Sequence, residues 1–201
     1  MGKKVAFLGL GVMGYPMAGY LHKAGYEVTV FNRTTSTAER WVGEYGGALA
    51  ASPAAAANGA EFVMACVGND DDLRAIVTGS EGAFAGMSAG ATFVDHTTAS
   101  ATVARELSAL GAESGLKFLD APVSGGQLGA ENGALTIMVG GEQAVFDEAM
   151  PVIDAYSKSV KLLGPTGAGQ LTKMVNQICI AGLVQGLAEG IHFAECAGLD
   201  G

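Results

Sequence analysis

Three glycines near the start of the chain, Gly9, Gly11 and Gly14, stand in the order G-x-G-x-x-G, with Leu10, Val12 and Met13 between them. That spacing suits a dinucleotide pyrophosphate. The first glycine permits a tight turn, the second lets the backbone approach the phosphates, and the third lets a helix pack close to a strand. A helix starting there offers free N–H groups to the anion. A second candidate is Pro122-Val123-Ser124-Gly125-Gly126-Gln127, whose backbone N–H groups stand clear of side-chain bulk. It reads as a concave site for a substrate carboxylate, or as a plain flexible loop. A third is Lys173, on the first turn of a long apolar helical pattern, with Asn176 and Gln177 nearby. A cation against the helix dipole invites a functional explanation, while a solvated surface lysine is the competing reading.

The residues after the second apolar run bear on which nicotinamide dinucleotide fits. NAD sites usually carry an acidic side chain about 20 residues past the glycines. Here the run ends in Asn32, Arg33 and Thr34, with no carboxylate to repel a phosphate. Arg33 can pair with a 2′-phosphate, and Asn32 and Thr34 can donate hydrogen bonds. The expected cofactor is therefore NADP, with NAD possible.

These residues need elements to hold them. Val5 to Leu8 and Val28 to Phe31 are short apolar runs flanking a helical pattern through Met17, Ala18 and Leu21. That is strand, glycine turn, helix, strand, the first half of a dinucleotide-binding unit. Further strands are expected at Glu61–Val67, Thr92–Asp95 and Lys117–Ala121, with helices at Thr35–Glu44 and Thr102–Leu110. The run Asp70–Asp72 reads as a set of helix caps. Leu135–Val139 and Lys158–Leu163 read as strands added at the sheet edge, and Glu142–Tyr156 as a helix despite Pro151. The alternation implies an α/β fold, a Rossmann-type doubly wound and mainly parallel sheet covered on both faces. Residues 1–166 would form the cofactor domain. Residues 167–201 would form a long interdomain helix, with Gly182, Gly186 and Gly190 permitting close packing.

Composition narrows the classes. The 201 residues carry a formal charge of −9, which argues against a nucleic-acid partner. No apolar run reaches the length of a bilayer span, so no membrane partner is expected. The start MGKK lacks a secretory apolar segment, and Cys66, Cys179 and Cys196 are scattered, so a reducing cytoplasm is expected. No C-x-x-C pair or histidine cluster is present, so no metal is expected.

Four motifs in order, GLGVMG, DHTTAS (95–100), DAPVSGG (120–126) with GALTIMVGG (133–141), and GAGQLTKMVNQ (167–177), give the chain a close resemblance to the β-hydroxyacid dehydrogenases. The resemblance covers essentially all 201 residues. It implies that Gly9 to Gly14 form the cofactor turn, that Val67, Gly68 and Asn69 border the cofactor, and that Thr98 meets the nicotinamide ribose. It implies that Ser124, Gly125 and Gly126 cradle a substrate carboxylate, that Lys173 is the acid/base, and that Gln177 reaches the same substrate region. The implied reaction interconverts a short 3-hydroxy acid and its semialdehyde, as in 3-hydroxyisobutyrate dehydrogenase or tartronate semialdehyde reductase. The family continues into an all-helical domain, whose remainder this chain is expected to lack. A cofactor-binding module with little turnover is the alternative. A reader of modified histone or DNA with this fold is disfavoured by the acidic charge and the retained Lys173. A 6-phosphogluconate dehydrogenase is disfavoured because its substrate phosphate would want more basic residues around the pocket. A homo-oligomer, in particular a dimer through the long helix, is expected.

Overall fold

A computed structural model describes residues 2–199. The last two residues of the expected segment 167–201 lie outside that range. The first half of the chain winds β1 (Lys4–Leu8), α1 (Gly14–Lys23), β2 (Glu27–Phe31), α2 (Thr35–Tyr45), β3 (Ala48–Leu49), α3 (Pro53–Ala57) and β4 (Phe62–Ala65). It continues through α4 (Asp70–Val77), α5 (Ala83–Gly86), β5 (Thr92–Asp95), α6 (Ala101–Glu113) and β6 (Lys117–Asp120). The six strands pair in the order β3-β2-β1-β4-β5-β6, every pair parallel. Sequence direction along the sheet reverses between β1 and β4. Their carboxyl ends therefore open onto the crevice where such sheets bind ligands.

The sequence explains why these strands are central. Val5, Ala6, Phe7 and Leu8 are successively buried, as are Phe62 to Ala65 and Thr92 to Asp95. Both faces are covered, so the buried runs of β1 and β4 are continuously apolar rather than alternating, while β5 buries Thr92 and Asp95 at its ends. One face packs Met17, Leu21 and Trp41 against Phe7 and Val30. The other packs Leu73, Val77, Val103 and Leu107 against Leu8 and Phe93. Ser52 accepts from the Ala55 N–H and Pro53 opens the helix, so α3 begins where its caps place it.

Two expected edge strands do not join this sheet. β7 (Val123–Ser124), β8 (Leu135–Val139) and β9 (Ser157–Leu162) form a separate three-stranded sheet in the order β7-β8-β9. Between β7 and β8 lies α7 (Gly126–Glu131), and between β8 and β9 lie α8 (Gln143–Ile153) and a 3₁₀ turn, Asp154–Tyr156. The reason is local. Gly125 at φ +131° and Gly126 at φ +60° turn the chain into α7, so β8 returns antiparallel to β7. Only one bridge, Asp120 to Gly140, links it to β6 among the described residues.

The last element is α9 (Ala168–Cys196), 29 residues long. Only Gly169, Gln170 and Lys173 of it are buried, while Ile178, Leu183 and Phe193 are among its exposed apolar side chains. By length and composition this helix could cross a bilayer, with a mean hydropathy of 1.2 in its most apolar window. The sequence expectation counted unbroken apolar runs, which Gln185 and Glu189 interrupt in this helix, whereas an average over a window tolerates them. Its start is held by Asp120. The Gly167 N–H donates to Asp120 Oδ1 at 2.7 Å and the Gln170 N–H donates to Oδ2 at 2.9 Å. Asp120→Ala should leave two buried helix-start donors without partners, at a cost of about 1–3 kcal/mol each. A urea unfolding midpoint equal to that of the unaltered chain would refute this account of how α9 is anchored.

Candidate active site

The glycine turn is shaped by close backbone approach. Gly9 sits at φ +93°, where side chains are strained, and its N–H donates to the Phe31 carbonyl at 2.9 Å. A Cβ on Gly14 would run into the Gly9 carbonyl, whereas one on Gly11 would meet only open space. The turn therefore packs α1 tightly against β1 while leaving its outer side free for a pyrophosphate at the helix start. Beside it lies a cleft of about 600 Å³. Gly9, Gly11, Val12, Met13 and Gly14 line it from the turn, Asn32, Arg33 and Thr34 from the end of β2, and Val67 and Gly68 from the end of β4. Leu10, Asn69 and Thr98 do not line it. Leu10 is buried, and its N–H donates to Asn32 Oδ1 at 2.9 Å. Asn69 caps α4, and Thr98 stands exposed on the turn after β5.

Three expectations about polar groups need correcting. Asn32 accepts from Leu10 and donates to the Thr34 carbonyl at 3.1 Å, so its amide braces the glycine turn. The acidic run sits in the first turn of α4, as expected at a helix N-terminus, but its side chains do not cap the helix. Asn69 Oδ1 accepts the N–H groups of Asp71 and Asp72, both at 2.9 Å. Asp70 instead accepts from the Ser100 N–H and hydroxyl, Asp71 pairs with Arg74, and Asp72 pairs with Arg33 at 3.0 Å. A carboxylate therefore does stand beside Arg33. It comes from α4, 39 residues further along the chain, which is why the end of β2 gave no sign of it.

The turn after β5 forms a second centre. Thr97 Oγ1 accepts from the Val67 N–H, and the Thr97 N–H donates to Asp95 Oδ1. Gln170, fully buried, donates from Nε2 to the Thr97 carbonyl at 2.7 Å and accepts from the Ala99 N–H at 3.0 Å. This clamp fixes α9 to the turn. Sequence reading passed over Gln170; its place one helical turn before Lys173 was the available signal. Lys173 is 8% exposed and makes no ion pair among the described residues. Burial lowers its pKa. Asn176 is half-buried, and its Nδ2 donates to the exposed Gln177 at 3.3 Å. Ser124 is half-buried in β7 and paired with Thr136, so it belongs to a strand and not to a loop; Gly125 and Gly126 are exposed. These three, Lys173 and Gln177 lie outside the 600 Å³ cleft.

Beneath the turn are buried titratable groups. His96 Nδ1 donates to the Ala121 carbonyl at 2.7 Å, so its Nε2 accepts from the Tyr156 hydroxyl at 2.8 Å. Burial holds this imidazole down to about 4 and neutral. Asp95 is fully buried, and its Oδ2 has no partner among the described residues. Burial, opposed by the Thr97 bonds, pushes it up to about 7. A carboxyl raised in the folded state stabilises below its unfolded pKa and loses that contribution as pH rises through the folded one. Stability should therefore fall between about pH 4 and about pH 7. In Asp95→Asn, urea midpoints at pH 5 and pH 8 should draw together. An unchanged pH slope would show that Asp95 is not the titrating group.

Known proteins share this arrangement. A family model described as the NAD binding domain of 6-phosphogluconate dehydrogenase matches residues 4–164. An uncharacterised oxidoreductase of Shewanella frigidimarina is 66% identical over 198 residues, 98% of this chain and 68% of that protein. A probable mitochondrial 3-hydroxyisobutyrate dehydrogenase-like protein of Arabidopsis thaliana is 40% identical, over 98% of this chain and 59% of its own length. Among solved structures, 3-hydroxyisobutyrate dehydrogenase of Mycobacterium tuberculosis with L-serine superposes with a TM-score of 0.93. It is 34% identical, and the match covers 100% of this chain and 67% of that one. The chain thus spans roughly three fifths to two thirds of these relatives.

Proposed function

The chain belongs to the β-hydroxyacid dehydrogenase family, that of 3-hydroxyisobutyrate dehydrogenase, and from that premise we propose that it serves an NADP-preferring enzyme interconverting a short 3-hydroxy acid and its semialdehyde. The observation that carries the reading is Lys173: a buried lysine with no ion pair among the described residues, on a helix start that Gln170 clamps to the turn following β5. The L-serine found with the Mycobacterium tuberculosis relative carries both a carboxylate and a 3-hydroxyl, as such a substrate would.

The cleft fits a nicotinamide dinucleotide because Gly11 leaves open space ahead of α1 and Arg33 lines the same cleft. Bound there, the cofactor supplies the hydride acceptor or donor. The chain's residues do the rest. Gly9, Gly11 and Gly14 seat the pyrophosphate, with Leu10 held inward by Asn32. Val67, Gly68 and Asn69 border the cofactor, and Thr98 meets the nicotinamide ribose. Ser124, Gly125 and Gly126 hold the substrate carboxylate, and Gln177 hydrogen-bonds the same region. Lys173 Nζ takes the hydroxyl proton during oxidation and returns it during reduction. Its lowered basicity suits that task, because an ordinary lysine stays protonated until about pH 10.4.

Two measurements test this. Arg33→Ala should weaken NADP binding by roughly tenfold or more and leave NAD nearly unchanged, since one charge-assisted contact is removed. Calorimetric titration reads both, and equal losses would remove Arg33 from the phosphate site. Lys173→Ala should lower turnover by about 10²–10⁴-fold with cofactor affinity retained. In the unaltered chain the oxidation rate should rise with pH through the lowered lysine pKa, and that limb should vanish in the variant. Full turnover in Lys173→Ala, assayed against a panel of 3-hydroxy acids, would sink the mechanism.

A further inference from the structure

Asp72 is the acid of its run that faces the cofactor cleft. Asn69 supplies the side-chain cap of α4, so the Asp72 carboxylate is not needed there. Its Oδ1 accepts from Arg33 Nη1 at 3.0 Å. Its Oδ2 lies in space that Gly68 leaves open, because a Cβ on Gly68 would stand 2.5 Å from it. Gly68, Asp72 and Arg33 all line the cleft. The Asp72 side chain is 31% exposed and that of Arg33 88%. The carboxylate is therefore the seated partner and the guanidinium the mobile one.

In NAD sites an acid at the end of the second strand accepts a hydrogen bond from the adenosine 2′-hydroxyl. That position holds Asn32, Arg33 and Thr34, and Asp72 reaches the same corner from α4. We propose that Asp72 is a specificity-determining residue: it accepts from the ribose 2′-hydroxyl of NAD and opposes the 2′-phosphate of NADP. Arg33 has five donors, so it can hold a phosphate on its free edge while Nη1 stays on Asp72. The phosphate then sits within one guanidinium of a like charge. At an open cleft mouth that repulsion is moderate, so the preference for NADP is trimmed and NAD remains usable. The inference rests on the nicotinamide dinucleotide reading of the cleft and is independent of the hydroxyacid chemistry.

The test is calorimetric titration of NADP and of NAD into the unaltered chain, Asp72→Asn and Arg33→Ala. Asp72→Asn should bind NADP roughly threefold more tightly or better and NAD roughly threefold more weakly or worse, a shift of about tenfold in their ratio. An unchanged ratio would overturn the proposal, because Asp72 would then be only a brace. So would loss of both cofactors together. If Arg33→Ala leaves NADP binding intact, the phosphate reading of Arg33 fails while the NAD arm still judges Asp72. Absence of binding by either cofactor to the unaltered chain overturns the dinucleotide reading and the proposal with it.

Discussion

Asp120 and Gln170 tie three parts of the molecule that would otherwise have little reason to stay in register. Asp120 ends β6; its backbone bridges to Gly140 beside the second sheet, and its carboxylate accepts the Gly167 and Gln170 N–H groups at the start of α9. Gln170 reaches from α9 to both sides of the turn after β5. A Cβ at Gly169 would collide with the Met138 and Asp120 carbonyls, so the helix start lies directly on the backbone of both sheets. Buried hydrogen bonds of this kind contribute modestly when made and cost considerably when one partner is lost. They therefore fix position more than they add stability.

The same arrangement governs the electrostatics. Asp95, His96 and Asp120 stand within the interior at the carboxyl ends of β5 and β6, where a charge is expensive unless bonded. Each is handled differently. His96 is held neutral between a carbonyl and a phenol. Asp120 is raised by burial and drawn down by backbone N–H donors. Asp95 has a bonded oxygen and an unpartnered one. Lys173 has no carboxylate partner among the described residues, and desolvation lowers its pKa.

The strands of the main sheet were legible because their apolar runs are short, continuous and separated by helical patterns, and Thr92–Asp95 falls where the sequence placed it. The glycine turn was legible for the same local reason. The second sheet was not, because β8 and β9 carry ordinary strand patterns and their partner is chosen by the glycine reversal at Gly125 and Gly126. The pairing of Arg33 with Asp72 and the clamp by Gln170 are long-range, 39 and more than 70 residues apart. A sequence shows which residues can pair but not which distant ones meet. Of the candidate site, the cofactor side apart from Leu10, Asn69 and Thr98 is gathered into one cleft, while Lys173, Ser124, Gly125, Gly126 and Gln177 stand outside it.

Two demands meet on α9. Its first turns are immobilised by buried polar contacts, and beyond Lys173 almost every side chain is exposed. Gly182, Gly186 and Gly190 each cost about 1 kcal/mol relative to alanine in a helix, and a Cβ at any of them would meet nothing within 4 Å. Glycines that keep a helix smooth without a neighbour to approach are locally unfavourable. Among the described residues, the buried part of the helix is confined to its first two turns. Lys173 sits at the boundary between these regimes, buried enough to lose basicity yet at the margin of the anchored part. A lysine deeper in the core would be more strongly desolvated, and one a turn further out would stay solvated and charged. The anchoring of the first turn by Asp120 and Gln170 is what places it between those limits.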